Sequence, residues 1–360
     1  MNLFAELKNK FTIRRKLIVL ASLVVILIFI MLVSADKGSV EITQSQIFAI
    51  LLKKIGFAFS SDFTIQQEAT LFDIRLPRIV LGALVGAALG ISGAAMQGIF
   101  RNPLADPSLI GISSGAALAA TAVVVIGDAV AFSLPPILQL FAFPAAAFAG
   151  ALVTTLAIYR LATIGGRTVA ATLLLAGIAL NALAQSIAGF LTFYATDTQI
   201  RSLTFWKLGS LGNGSWSAVL TALPFILIPI LLFSRLARPL NALLLGESEA
   251  GHLGFDIEKI KRQAVILAAL SVGASVAFTG LITFVGLIVP HLLRLLIGPD
   301  HRYLFPASAL LGAILLLSAD LIARTLVAPA EMPIGILTAI IGAPFFLWLL
   351  IRSGQRSLAS

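Results

Sequence analysis

The sequence predicts an all-α, polytopic membrane protein with about ten transmembrane helices. Three observations carry that prediction. First, 59% of the 360 residues are hydrophobic and only 11% are charged, whereas a soluble domain carries about 25% charged residues. Second, the mean hydropathy is +1.03, and ten stretches approach the roughly 20 apolar residues needed to cross a bilayer core. Third, the basic residues around those stretches fall mostly on one side of the membrane. The chain has no cysteine, which excludes disulfides and thiolate metal ligands. Its net charge of +9 reads as basic residues facing the cytoplasm and not as a nucleic-acid surface.

The N-terminal segment carries Lys8, Lys10, Arg14, Arg15 and Lys16 ahead of an apolar run from Leu17 to Val33. That run exceeds the roughly 7–15 residues of a signal-peptide core, and no small-residue cleavage site leads into a soluble domain. It reads as the first span, with the N-terminus inside. Further spans are predicted over 77–98, 108–126, 138–159, 168–193, 216–234, 263–281, 282–298, 305–323 and 334–351. Gly280 and the VGLIVPH segment divide 263–298 into two pieces, joined by a tight reversal or including a short re-entrant helix. Ten spans put both termini on the same side and assign 17 of the 25 basic residues to it, leaving 8 opposite. Nine spans would spoil that asymmetry. Residues 36–74 face outside and include QSQIFAILLKKIGFAF, a predicted short helix on the membrane surface. Residues 235–262 face the cytoplasm and alternate short apolar pieces with glycine breaks. Nothing marks a soluble domain, so 1–360 reads as a single transmembrane domain.

Chemical motifs are sparse. There is no G-x-x-x-x-G-K-[ST] phosphate loop and no H-E-x-x-H zinc motif, and the three histidines are scattered, with His291 suited to a packing or interfacial role. Asp320 is the clearest charge inside a span. Ion-coupled pumps need buried ionisable relays, so this scarcity argues against a stand-alone secondary transporter. GISSG at 111–115 matches the nucleophile elbow of hydrolases, which would make Ser113 a nucleophile. That motif needs a strand, a turn and a partner histidine; here it opens a membrane helix, and a small-residue packing surface is the favoured reading.

Other residues form patterns with a physical meaning. Gly82, Gly86 and Gly90 line one face of the second span and permit close helix approach. Arg75 and Arg78 sit at its outer end, three residues apart on one face, with Pro77 in the first turn. Together with Arg324 they are either snorkelling side chains or a positive patch for an acidic partner. Glu247, Glu249 and Ala250 before Gly254 form either a short helix that fills a partner's groove or a solvated loop. Leu243, Leu244 and Leu245 just before it call for something buried against them. Asn181, Gln185 and Gly189 form a stripe along the fifth span that either lines a cavity or bonds a neighbouring helix. Thr168 and Thr172 lie at the cytoplasmic start of that helix.

Taken in order, RLPR, GAALGISGAAMQGIFRNPLADPSLIGISSGA, LLLAGIALN, FWKLGSLG, GLIVPHLLR, GPDHR, EMPIG and GAPFF resemble the permease subunits of bacterial ABC importers for iron-siderophores, haem and cobalamin, the FecCD-type family. The resemblance runs from about residue 70 to the end. It implies the type II ABC importer permease fold, located in the bacterial inner membrane as a homodimer with the translocation path between subunits. It implies two cytoplasmic ATPase subunits that bind ATP and Mg, an extracytoplasmic substrate-binding protein, and a lipid environment. The chain itself would be no enzyme and would hold no cofactor or metal. By the same resemblance Arg75, Arg78 and Arg324 pair with glutamates of the binding protein, and Glu247 to Gly254 forms the coupling segment, within 239–256, that enters the ATPase. Thr168 to Thr172 forms the cytoplasmic gate, where Ala170 and Ala171 replace more polar residues. Asn181 and Gln185 belong to the pathway. The RSLTFWKLGSLG stretch favours haem over a ferric siderophore, with cobalamin third.

Overall fold

The computed structural model describes residues 2–38, 40–54, 56–57, 62–127, 136–327 and 330–358. Helix α1 (Asn2–Asp36) contains the first predicted span. The surface helix follows as α2 (Gln44–Lys54), which buries Ile47, Ala49 and Ile50; Ile47 and Ile50 join a small apolar cluster with Ala35, Leu71, Ile79 and Leu317. Residues 55, 58 and 59 of the predicted surface stretch lie outside the described residues.

The second span begins earlier than the sequence suggests. Helix α3 (Ile65–Ala69) starts at a capping box between Thr64 and Gln67 and runs through a π turn at Thr70–Arg75 into α4 (Leu76–Ile99). The result is one continuous helical run of 35 residues, Ile65–Ile99. Pro77 therefore does not open a helix. It has no N–H to continue the ladder, and the wider π turn precedes that gap.

After a loop and a 3-10 turn at Pro107–Ile110 come α5 (Ile112–Ile126) and α6 (Pro136–Ala162). A two-residue hairpin follows, β1 (Thr163–Ile164) against β2 (Arg167–Thr168), with Thr163 opposite Thr168. Gly165 and Gly166 both have positive φ, 59° and 78°, the requirement of a type I′ turn. The fifth span is α7 (Ala170–Phe193), so Thr168 belongs to the hairpin and not to the helix. A short helix α8 (Asp197–Lys207) carries its own capping box, Thr196 with Gln199. The remaining elements are α9 (Trp216–Leu243), α10 (Glu247–His252), α11 (Ile257–Thr279), α12 (Val285–Ile297), α13 (His301–Thr325) and α14 (Ile334–Leu358).

Among the described residues, seven helices are long and apolar enough to cross a membrane, and three shorter apolar ones lie over Ile112–Ile126, Val285–Ile297 and Ile334–Trp348. These ten correspond one to one with the predicted spans. The reversal expected within 263–298 occurs at residues 280–284, between α11 and α12, with positive φ at Gly280 and Phe284. At 13 residues, α12 is about 20 Å long, short of the roughly 30 Å hydrocarbon core.

Helix α4 is the hub. It packs against α9, α11, α12 and α13, and 78% of its span is buried, against 11% for the peripheral α1. Helices α5, α6 and α7 form a second group, joined to the first through α11. The contact of α4 with α13 is backbone to backbone: a Cβ on Gly86 would overlap the Gly312 carbonyl, one on Gly90 the Ser308 carbonyl, and one on Gly312 the Gly86 carbonyl. Gly82 packs beneath the Leu211 and Leu317 side chains, and Gly93 meets Gly286 of α12. Helices in lipid gain little from the hydrophobic effect between them, so such close approach supplies the association energy. The buried polar pair Ser92 and Ser271 ties α4 to α11 with a 3.0 Å hydrogen bond.

Candidate translocation site

One end of the bundle carries the RLPR arginines. Arg75 is buried, and its guanidinium donates to the carbonyls of Ala35 at 2.5 Å, Asp36 at 2.8 Å and Val40. It thereby satisfies two free carbonyls at the C-terminus of α1 and one in the loop that follows. Arg78 turns the other way, into a buried ion cluster. Its Nε and Nη2 donate to Asp320 of α13 at 2.8–3.1 Å, and Nη1 and Nη2 donate to Glu331 at 2.9 and 3.1 Å. Arg324 donates to the Ser34 carbonyl at 2.5 Å and the Lys37 carbonyl at 2.7 Å, and lies 3.8 Å from Asp320. Hydrogen bonds from Arg78 hold the half-exposed Glu331 carboxyl below the usual carboxylate range.

These contacts qualify the sequence picture of a free positive patch: Arg75 and Arg78 are each already bonded within the chain, to different neighbours. Neither snorkels to the interface, and Asp320 and Glu331 offset the charge of Arg78. The three arginines nonetheless border one cavity of about 840 Å³, together with Lys37, Gln66 and Glu331.

A second cavity, of about 640 Å³, follows α7. Asn181, Gln185, Gly189 and Thr192 contribute from that helix, Ser113 and Ser114 from α5, and Lys207 from α8. Asn181 to Thr192 spans roughly 16 Å along the helix axis. Both readings of the stripe apply, each to a different residue. Asn181 Oδ1 accepts a hydrogen bond from Ser114 Oγ at 2.5 Å, whereas Gln185 is exposed to the cavity. The lining is largely apolar, with Leu109, Leu281 and small residues, and is dotted with hydroxyls and amides; among the described residues Lys207 is its single charged group.

The opposite end carries α10. Its lone buried side chain is Ala250, while Glu247 and Glu249 are exposed. Phe255 N donates to Ala250 O at 3.2 Å and Gly254 N to Gly251 O at 2.9 Å, with Gly254 at φ +85°. That is a Schellman closure, and it explains the glycine. Leu243 is buried as expected, but Leu244, Leu245 and Leu253 are exposed, the last two by 68% and 61%. They form an uncovered apolar edge on both sides of α10.

Thr168 differs from expectation. It is buried, bonding the Thr163 hydroxyl at 2.9 Å, and its backbone is held by Glu258 and Lys261 of α11. Thr172 is half-buried and lies nine residues before Asn181. Neither lines the 640 Å³ cavity. Nearby, Asp300 caps α13 and accepts from Asn241 at 2.7 Å and from Arg302. Burial pushes its carboxyl up, but the bonds from Arg302 and Asn241 outweigh that and hold it well below the usual range.

Sequence reasoning missed Glu331, Glu258, Lys261 and the hairpin. Gly165-Gly166 between Thr-Ile and Arg-Thr is a hairpin signal that was available. The ion partners were not, because they lie up to 253 residues from the groups they bind.

A bundle of ten apolar helices among the described residues, with an elongated and nearly uncharged cavity along one of them, is the architecture of a membrane transporter. The chain belongs to the FecCD transport family, whose model matches residues 23–352. It is 50% identical to the hemin transport system permease protein HmuU of Yersinia pestis over 79% of this chain and 84% of that protein. It is 45% identical to the cobalamin import system permease protein BtuC of Halobacterium salinarum over 84% of this chain and 80% of the other. A solved structure described as an inward-facing conformation of a metal-chelate type ABC transporter superposes with a TM-score of 0.79 at 30% identity. It covers 92% of this chain and 98% of its own. The protein is thus a multi-pass permease subunit of an ABC importer, a class that works with ATPase and substrate-binding partners.

Proposed function

We propose that two copies of this chain form the permease of an importer that carries haem across the bacterial inner membrane. The observation that carries the choice of cargo is the 50% identity to a hemin permease along 84% of its length. The cobalamin permease at 45% supports a second reading, cobalamin; a ferric siderophore is the third cargo of this class. A largely apolar cavity with a few hydroxyls and amides suits any of them, because it can hold a large ligand without binding it tightly enough to prevent release. The test is ATP-dependent uptake by proteoliposomes containing the permease, its ATPase and its cognate binding protein. Hemin should enter at least tenfold faster than cyanocobalamin or ferrichrome at equal concentration. Preferential uptake of cyanocobalamin would favour the second reading.

In this proposal the α10 end and both termini face the cytoplasm, supported by the excess of basic residues there. Glu247, Glu249, Ala250 and Gly254 shape a coupling helix that enters a groove on the ATPase, and that partner alone holds ATP and Mg. The support is the apolar edge of Leu244, Leu245 and Leu253, which a groove would cover. The double variant Leu245→Glu with Leu253→Glu should weaken co-purification of the ATPase at least tenfold while the permease stays monodisperse. Undiminished co-purification would remove the docking role.

The arginine end faces outward and receives the binding protein. Arg75, Arg78 and Arg324 border the 840 Å³ cavity from below, already bonded within the chain, and the exposed Lys37 and Glu331 stand at its rim. Asn181 and Gln185 line the pathway. The gate is formed by the hairpin with Thr172, and Thr168 anchors it.

A further inference from the structure

Lys261 is the most deeply buried lysine that makes an ion pair among the described residues, at 2% exposure. It sits one turn into α11, and its ammonium joins three elements. Nζ donates to the carbonyl of Thr168 at 2.7 Å, to Glu247 Oε2 at 2.8 Å and to Glu258 Oε1 at 3.4 Å. The other oxygen of Glu258 accepts the Thr168 N–H at 2.8 Å. Both the N–H and the C=O of Thr168 are therefore fixed by charged groups of α11. Thr168 ends the hairpin two residues before α7, and Glu247 is the first residue of α10.

A buried ammonium loses its hydration, and well-packed apolar residues usually stabilise such a site as well or better. What an apolar residue cannot do is join α10 to the peptide that precedes α7 through directional bonds of under 3 Å. The hairpin has little else to restrain it on that side. A Cβ added at either turn glycine would meet open space, and Ile164 is 68% exposed. The other ties of Thr168 are to Thr163 and Tyr159, both on the α6 side.

We propose that Lys261 is the positioning residue that links the α10 segment to the hairpin at the inner end of α7, so that displacement of α10 by the ATPase moves the pathway helix. This rests on the coupling role given to α10 above. Glu258 holds the fixed side of the link on α11. Glu247, exposed and at the start of α10, is its movable side.

The absence of cysteine allows a direct test. Ile164→Cys places a single spin label on the hairpin in the purified complex of permease and ATPase. Trapping with ATP and vanadate should change the label's mobility. Lys261→Met should abolish that change while the ATPase still co-purifies, and Lys261→Arg should restore at least half of it. A purely structural lysine would instead alter yield and melting and leave the nucleotide response in the surviving complex. Glu247→Ala removes only the exposed arm and should cut the response at least threefold, which decides the matter if Lys261→Met does not assemble. An undiminished response in Lys261→Met or, where that variant does not assemble, in Glu247→Ala, or no response in the parent complex, would overturn the proposal. Failure of the docking reading is distinct, because it appears as intact co-purification in the Leu245→Glu, Leu253→Glu variant.

Discussion

Gly86→Leu should leave no folded permease. The ideal Cβ at position 86 falls on the Gly312 carbonyl and beside the Ala313 backbone, so relief requires α4 and α13 to separate along their length. A flexible side chain could swing away from such a clash; a helix backbone cannot. Overpacking in a core costs about 1–3 kcal/mol, occasionally more, even where side chains yield, and here the helices also lose the close contact that holds them together in lipid. The expected result is loss of the monodisperse peak on size-exclusion chromatography. Gly189→Ala is the control, since no heavy atom lies within 4 Å of a Cβ there, and it should melt within a degree or two of the parent. A monodisperse Gly86→Leu protein with an unchanged melting temperature would show that the two helices are not locked by this contact.

The second large effect is expected at Asp320. Its carboxylate takes three hydrogen bonds from Arg78 and is nearly inaccessible, while the other partner of Arg78, Glu331, is half-exposed. Asp320→Ala strands a buried guanidinium, and breaking a buried pair in this way costs about 3–5 kcal/mol. Glu331→Gln should cost well under half as much, because water reaches that side of the cluster. Arg78→Met combined with Asp320→Leu removes both charges and should recover most of the loss. Thermal unfolding of Arg78→Met, Asp320→Leu and their double variant against the parent closes a double-mutant cycle, with Asp320→Ala and Glu331→Gln measured beside it. An additive outcome, with the double variant as unstable as the sum of the singles, would sink the ion-cluster account.

Much of the fold was legible because membrane crossing imposes a length and a composition on each segment. The ten apolar stretches, the reversal near Gly280 and the surface helix at 44–54 all follow from runs of residues next to one another. The glycines of α4 were legible as a packing face, but their partner was not, since Gly312 lies over 200 positions away. Arg75 and Arg78 show the limit most clearly. Spacing of three put them at one end of one helix, and both do border the same cavity, but their separate partners, the end of α1 for Arg75 and Asp320 with Glu331 for Arg78, could not be read from it. No residue pattern announced the π turn at Thr70–Arg75 either. The placement of Thr168 was missed for another reason: the hairpin was merged into the following helix, so a buried strand residue was taken for a helix-start side chain. For the site, the amide stripe of α7 could be read from period alone. Its counterpart on α5, Ser113 and Ser114, was visible only as a false hydrolase motif.

The backbone contact between α4 and α13 also bears on how this molecule deforms. Side chains between two helices act as a compliant layer, able to change rotamer and let the helices slide. At Gly86, Gly90 and Gly312 that layer is missing, so the junction is stiff in both shear and compression. Strain delivered to the bundle during a transport cycle must then collect where the structure is softer. The largely exposed α7, with its hairpin and open cavity, is such a place, and amide hydrogen exchange should find its amides opening well before those of the α4 and α13 pair.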